Sequence, residues 1–221
     1  MARLSQKQQV LVIGLGRFGA ALARELERLG HEVLAVDKDA ARVEELGPQV
    51  THAVCADATQ LPVLEQLGAK DFDAAIVAMG TDERSSILIT VLLKKCGVKS
   101  VIARAFDDLH AEILEKVGAT RVVDPDRETG ARVAHSFGGG ELVLDYYQVA
   151  PGFGLERVSA RKFQGKTLGE LDLRGRFGLT PVFLHRGQAV IVSPDDSERL
   201  QADDELGLAG LDERLEKLRL D

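Results

Sequence analysis

The chain has 221 residues, of which 45% are hydrophobic and 29% charged, and its formal net charge is −7. That balance is ordinary for a globular protein. Without a dense Lys/Arg cluster it argues against a nucleic-acid partner and against docking on anionic lipid. The two cysteines, Cys55 and Cys96, lie far apart with no CxxC spacing, which argues for a reducing compartment and against a disulfide framework or a zinc site.

The first part of the chain alternates apolar strand-like runs with helical periodicity. Val10 to Ile13 reads as a central strand. Arg17 to Leu29 follows at helical spacing, with Phe18, Leu22, Leu26 and Leu29 on one face and Gly30 closing it. Glu32 to Val36 is the second strand, ending at Asp37. A helix over 40–46 stops at Gly47-Pro48, and Thr51 to Cys55 is the third strand. A short helix over 61–67 precedes the strand 74–79. The helix 82–96 that follows is apolar on nearly all sides, which predicts burial against its sheet and against a second surface. Val98 to Ala103 is the fifth strand. Asp107 to Val117 is an amphipathic helix with Leu109, Ile113, Leu114 and Val117 inward and His110 solvated, and 121–123 is the sixth strand. Repeated βαβ units with short connections predict an α/β fold, a doubly wound parallel sheet of Rossmann type.

The pattern changes near Asp126. One more helix over 126–137 is followed by Gly138-Gly139-Gly140, read as a hinge that ends a first domain at 137. The second domain, 138–221, has alternating strands around 142–144, 155–158, 182–184 and 189–192 and a hairpin turn at 185–188. It also carries a short helix around 168–173 and a charged amphipathic helix at 211–220. This is a small α+β unit of a size that folds alone only marginally, so it is expected to lean on another copy of itself. The acidic pairs Asp195-Asp196 and Asp203-Asp204-Glu205 read as solvated turns rather than as a calcium or magnesium site. No apolar run reaches membrane-spanning length and the first residues lack the apolar core of a signal peptide, so the expectation is a soluble, cytoplasmic chain.

The chemistry-bearing pattern lies between Val10 and Asp37. The first strand runs into Gly14-Leu15-Gly16-Arg17-Phe18-Gly19, a GxGxxG turn that opens a helix. Gly14 permits the tight turn, Gly16 lets a phosphate approach the backbone, and Gly19 lets helix pack on strand. The helix end offers free N–H groups and the positive end of its dipole. About 20 residues on, Asp37 is placed to accept hydrogen bonds from an adenosine ribose, and its charge disfavours a 2′-phosphate. Asp39 is the better cap for the next helix. Arg17 opposes the helix dipole at a cost of about a few tenths of a kcal/mol. It makes sense against a phosphate, although it also has the option of snorkelling into solvent. Asp57 either meets an adenine amino group or forms a plain turn, with Thr59 capping the next helix. Met79-Gly80-Thr81-Asp82 either lies against the phosphates or is an N-cap. Arg104, after the fifth strand, falls on the same edge.

With these residues placed, the sequence resembles the cytosolic regulatory subunits of bacterial potassium uptake systems, the TrkA and KtrA type built from RCK or KTN domains. The resemblance is carried by VIGLGRFGAALARELERLGHEVLAVDKD (12–39), CADAT (55–59), AIVAMGTDERSSILITVLLKKCGV (75–98) and KVGATRVVDPDRETG (116–130). It is looser over FQGKTLGELDLRGRFGLTPVFLHRG (163–187) and DDELGLAG (203–210). It implies a TrkA-C type second domain, and dimers assembled into an octameric ring under a membrane-embedded potassium channel or transporter subunit. It also implies ATP and ADP as ligands, with NAD or NADH as the alternative. The resemblance implies ligand contacts at Gly14, Gly16, Arg17, Gly19, Asp37, Asp57 and Arg104. Phe18, Lys38, Ala58, Thr59, Met79 and Gly80 complete the candidate set. Asp126 falls where relatives carry an acidic residue, often Glu, that binds a cation between subunits.

Three functions follow. In the first the chain is a non-enzymatic gating subunit whose ring changes shape with its nucleotide. In the second the same site serves an NAD-dependent oxidoreductase. In the third the chain is a structural or interaction module whose nucleotide is permanent. The second needs a catalytic acid or base, and the five histidines are scattered through the sequence.

Overall fold

The computed structural model describes residues 7–80, 82–137 and 142–220. Thr81 and the glycine run 138–140 lie outside the described residues. The chain divides into two compact units, Met1–Pro125 and Asp126–Asp221. The break read from the sequence stands at the glycine run; by packing, the helix Pro125–Phe137 groups with the second unit.

The first unit is a six-stranded parallel sheet of β1 (Gln9–Ile13), β2 (Glu32–Asp37), β3 (His52–Cys55), β4 (Ala74–Val77), β5 (Ser100–Arg104) and β6 (Arg121–Val123), in the order β3-β2-β1-β4-β5-β6. The order reverses between β1 and β4, the switch point of a doubly wound fold. Side-chain alternation along β1 explains why both faces are covered. Val10 and Val12 join Ala23 of α1 (Arg17–Arg28) and Leu46 of α2 (Ala40–Leu46) in one core. Leu11 and Ile13 face the other core, with Leu64 of α3 (Leu61–Gln66), Ile89 and Leu93 of α4 (Glu83–Lys95), and Leu114 of α5 (Asp108–Lys116). A strand buried on both sides reads as an unbroken apolar run, which is why the central strands β1 and β4 were visible in the sequence; the edge strands β3 and β6 have no fully buried residue.

The helix α4 is buried along Ser86, Ile89, Thr90 and Leu93, while Leu88 is 44% exposed, so the described residues of this chain supply one of the two surfaces expected to cover it. Two other expectations, on α5 and α1, are corrected. On α5 the inward residues are His110 and Leu114, and Leu109 faces solvent. His110 is therefore not solvated: it is 3% exposed, and its Nδ1 accepts the Phe106 N–H at 3.2 Å, closing the turn before the helix. Leu29 is likewise exposed rather than packed with the α1 face.

In the second unit, α6 (Pro125–Phe137) buries none of its side chains. Arg132 pairs with Asp145 at 3.0 Å, and His135 stacks on Tyr146 with ring centroids 4.0 Å apart. The sheet is antiparallel, in the order β10-β9-β11-β8-β7, built from β7 (Val143–Ala150), β8 (Phe153–Ser159), β9 (Thr180–Arg186), β10 (Ala189–Val192) and β11 (Glu205–Leu211). One face packs on Leu168, Leu171, Leu173 and Phe177, and on Leu215 and Leu218 of the last helix, α9 (Asp212–Leu220). The single helix expected around 168–173 is two short ones, α7 (Leu168–Leu171) and α8 (Leu173–Phe177). Asp172, at φ +44°, ends the first and caps the second by accepting the Gly175 N–H at 3.1 Å.

Of the acidic stretch 203–205, Asp203 is an exposed turn residue as expected, but Asp204 and Glu205 are not solvated. Glu205 opens β11, where its carboxylate meets His185 at 3.3 Å and Arg157 at 3.5 Å. Asp204 is buried, and the Arg186 fork donates to both of its oxygens at 2.8 and 2.7 Å while the Gln201 N–H donates at 2.8 Å. Burial alone would raise the Asp204 pKa; the fork and the N–H outweigh it and hold the carboxyl below the ordinary carboxylate range. Deeper in the same core, Glu156 is fully buried with both Arg219 donors on its Oε1.

A carboxylate depressed on folding stabilises the native state above its unfolded pKa, and that gain is lost as pH falls through the folded value. Asp204→Ala is therefore expected to cost on the order of 2–3 kcal/mol at neutral pH, less than a fully buried pair because Arg186 keeps some solvent. The difference from wild type, measured by urea denaturation, should shrink as pH falls below the ordinary carboxylate range.

Candidate ligand site at the strand ends

The parallel register brings Ile13, Asp37, Cys55, Val77 and Ala103–Arg104 to one edge of the first sheet. At its centre the GxGxxG turn divides its steric work as the sequence implied. Gly14 has φ +94°, and a Cβ there would press on Met79 Cγ at 2.9 Å. A Cβ on Gly19 would fall on the carbonyl oxygen of Gly14, so only hydrogen lets α1 sit this close to β1. A Cβ on Gly16 would meet nothing within 4 Å. The middle glycine is thus the open face of the turn, and the outer two are its closed seams.

Gly16 is also the N-cap of α1, and no side chain caps that end; the first turn carries no acidic residue. By contrast α2, α4 and α5 are capped by Asp39, Asp82 and Asp107. The expectation that Asp39, not Asp37, caps α2 holds. Thr59 does not cap α3: its N–H and Oγ1 both donate to Asp57 Oδ1, at 3.0 and 2.6 Å, and the N-cap position is Gln60. Those two bonds lower the pKa of Asp57. Two bonds from Ser85 do the same for Asp82.

Asp37 is 8% exposed and already holds the site together. Its Oδ2 accepts the Leu15 N–H at 2.6 Å, tying the glycine turn to the end of β2, and its Oδ1 accepts the Asp39 N–H at 2.9 Å. Arg42 stands 3.5 Å from Oδ2. An ionised carboxylate has about four acceptor positions; the Leu15 N–H and Arg42 take those of Oδ2, while Oδ1, with the Asp39 N–H alone, keeps capacity for one hydroxyl of a ligand. The bond to Leu15 and the neighbouring Arg42 were not legible in the sequence, because both depend on the turn folding back over the strand end.

The other candidates of the first unit lie at the ends of its strands and in the helix starts that follow them. Arg17 is exposed in the first turn of α1. The Arg104 guanidinium lies over the Phe18 ring, 5.5 Å from its centroid, and beside Gly80. Lys38 reaches Asp82 at 4.0 Å across the mouth of β2 and β4. Ala58 is buried in the core beneath the sheet, so only its backbone is available to a ligand. Asp126 is exposed at the start of α6, and among the described residues no three His, Cys, Asp or Glu side chains gather into a metal site. A groove of about 350 Å³ lined by Gln9, Glu32, Leu34, Thr51, His52 and Phe72 lies at the opposite, N-terminal edge of the sheet and is separate from this constellation.

The TrkA-N domain profile matches residues 10–125, the whole of this sheet, and the TrkA-C domain profile matches 158–220. The chain belongs to the TrkA-N/TrkA-C family. Among its relatives, "Ktr system potassium uptake protein C" of Bacillus subtilis is 39% identical over 205 residues, covering 92% of both chains. "Ktr system potassium uptake protein A" of the same organism is 35% identical over 211 residues, covering 95% of this chain and 94% of the other. Among solved structures, a "GsuK channel bound to NAD" superposes with a TM-score of 0.65 at 21% identity, covering 96% of this chain and 38% of the channel chain, and so shares the fold. The TrkA-N sheet and the antiparallel TrkA-C unit are those expected from the sequence.

The division of labour among the glycines of this TrkA-N unit is testable by denaturation. Gly19→Ala is expected to destabilise by about 2–3 kcal/mol, because the added methyl meets backbone. Gly16→Ala is expected to cost less, about 0.5–1 kcal/mol, the ordinary preference of an N-cap position for glycine over alanine.

Proposed function

We propose that this protein is the cytosolic, nucleotide-binding regulatory subunit of a potassium uptake channel or transporter, with ATP and ADP as its ligands. The observation that carries the reading is the pairing of an open, uncapped α1 N-terminus at Gly16 with the Asp37 carboxylate at the end of β2. In this reading phosphates lie over Gly16 and the amides behind it, held by the helix end. A ribose hydroxyl donates to Asp37, whose charge turns away a 2′-phosphate. Asp57 receives the adenine amino group, and Lys38, Thr59, Met79 and Gly80 border the ligand. The potassium role is supported by the names of relatives that match this chain over nearly its whole length.

Such a subunit works without catalysis. A nucleotide shifts an assembly between two shapes only by its difference in affinity for them. Arg17, at the end of the site where phosphates differ, suits the role of sensing the terminal phosphate through a charge-assisted bond. The exposed apolar residues Leu88 and Val91 of α4, with Phe106 and Leu109 around α5, support association into a homo-oligomer; a dimer within an octameric ring is the form proposed. Asp126 is proposed as one ligand of a cation shared between subunits, the rest coming from a neighbour. No described helix is long and apolar enough to cross a membrane, so the proposed place at the inner face of the cell membrane is reached through the pore subunit.

NAD or NADH would satisfy Asp37 equally, since both present an adenosine ribose. For an oxidoreductase, four of the five histidines are engaged elsewhere: His31 with the Gln8 N–H, His110 in its own turn, His135 on Tyr146, His185 on Glu205.

Calorimetry with ATP and ADP tests the proposal. Arg17→Ala is expected to weaken ATP roughly tenfold, about 1.4 kcal/mol, and ADP by much less. Equal losses for both would remove the sensor role, and no binding of any adenine nucleotide by the wild-type chain would overturn the reading as a whole.

A further inference from the structure

Arg42 stands in the first turn of α2, just past the end of β2. Two carboxylates hold its guanidinium there. Arg42 Nη1 lies 3.5 Å from Oδ2 of Asp37, and Arg42 Nε lies 3.4 Å from Oδ2 of Asp39, the residue that caps the helix. The Arg42 side chain is 52% exposed and that of Asp37 only 7%. A half-open cation is therefore fixed beside a closed carboxylate, at the edge of the sheet where the ligand site lies.

The acceptor count on Asp37 makes this placement informative. Its Oδ2 is taken by the Leu15 N–H and Arg42, and its Oδ1, with the Asp39 N–H, has room for one donor more. A ribose presents two neighbouring hydroxyls, so Asp37 alone satisfies one of them. The second needs another polar group beside the carboxylate. Asp39 is turned to its own helix, where Oδ1 accepts the Ala41 N–H at 3.0 Å, and Lys38 reaches across to Asp82. The two carboxylate contacts engage two of the five N–H donors of Arg42. The others are available to a hydroxyl oxygen.

We infer that Arg42 is a specificity-determining residue that donates to the ribose hydroxyl Asp37 has no room for, so that the site takes ribonucleotides over deoxyribonucleotides. The diol is read by a carboxylate and a guanidinium together. The inference rests on the nucleotide reading above and adds to it a ligand contact and a ligand class. A site built to bond a hydroxyl rejects the analogue that lacks it, because its own polar group then stays unpaired. Arg42→Met makes a clean probe. It removes every donor, keeps an unbranched side chain of similar helix propensity, and falls at a half-exposed position where the fold does not depend on burial.

The experiment is calorimetry of the full chain with ADP, 2′-deoxy-ADP and 3′-deoxy-ADP, alongside thermal melts. The three ligands carry the same charge, so a general pull of Arg42 on the phosphates would act on them alike. The wild-type chain is expected to bind each deoxynucleotide roughly tenfold more weakly than ADP. Arg42→Met is expected to weaken ADP roughly tenfold. It should bind one of the two deoxynucleotides within about twofold of wild type, because that hydroxyl and its partner form a single interaction. The penalty for the other deoxynucleotide, whose missing hydroxyl belongs to Asp37, should persist. Equal losses for all three ligands, an unchanged ADP affinity in Arg42→Met, or a wild-type chain that binds deoxynucleotides as well as ADP would overturn the inference while leaving nucleotide binding intact. A wild-type chain that binds no ADP would overturn both.

Discussion

The close approach of Gly19 to the carbonyl of Gly14 governs the first unit. A helix can rest on the strand that precedes it at this distance only where no side chain intervenes, and the approach fixes both the direction of α1 and the height of its first turn above the sheet. With α1 so held, the Leu15 N–H points at Asp37, and the carboxylate clamps the turn to the neighbouring strand. The open concavity at Gly16 is what remains after these two constraints are met. It is shaped by steric exclusion around it rather than by groups that fill it.

Charge then completes what sterics began. Most helices that end at this edge of the sheet have an aspartate at their first position, which quiets the dipole locally. The helix after the glycine turn lacks one and carries Arg17 in its first turn, a locally unfavourable arrangement of the kind that natural sequences tolerate chiefly where function recovers the cost. The α3 end lacks a side-chain cap as well, so the contrast is with α2, α4 and α5.

Much of this was legible in the sequence because each element obeys a single rule. The central parallel strands are buried on two faces and read as apolar runs; the three glycines have three different steric tasks, so their spacing survives as a motif. Where two rules compete, reading failed. In 203–210, Asp204 and Glu205 suggest a solvated turn, but their charges are consumed by Arg186, His185 and Arg157, and Gly207 and Gly210 interrupt the alternation because the side chains of Phe183 and Leu179 lie across them. His110 looked like a surface residue because nothing in the sequence reveals a ring that turns inward to accept a backbone N–H. The double duty of Asp37 was invisible for a related reason: its partner Leu15 is 22 positions away and is brought near only by the turn.

The position of β11 has a consequence for how the chain must assemble. The hairpins β7–β8 and β9–β10 are each local in sequence, yet neither pairs with the other; β11 stands between them and supplies both with their inner neighbour. During synthesis from the N-terminus the parallel sheet has all six of its strands early, whereas the second sheet remains two separate ribbons until the last of its strands has emerged. Isolated two-stranded ribbons are marginal in water, and pairings distant in sequence form slowly. Maturation of the smaller unit is therefore a late, all-at-once event, and a ribosome stalled before Glu205 would release a finished sheet tethered to an unfinished one.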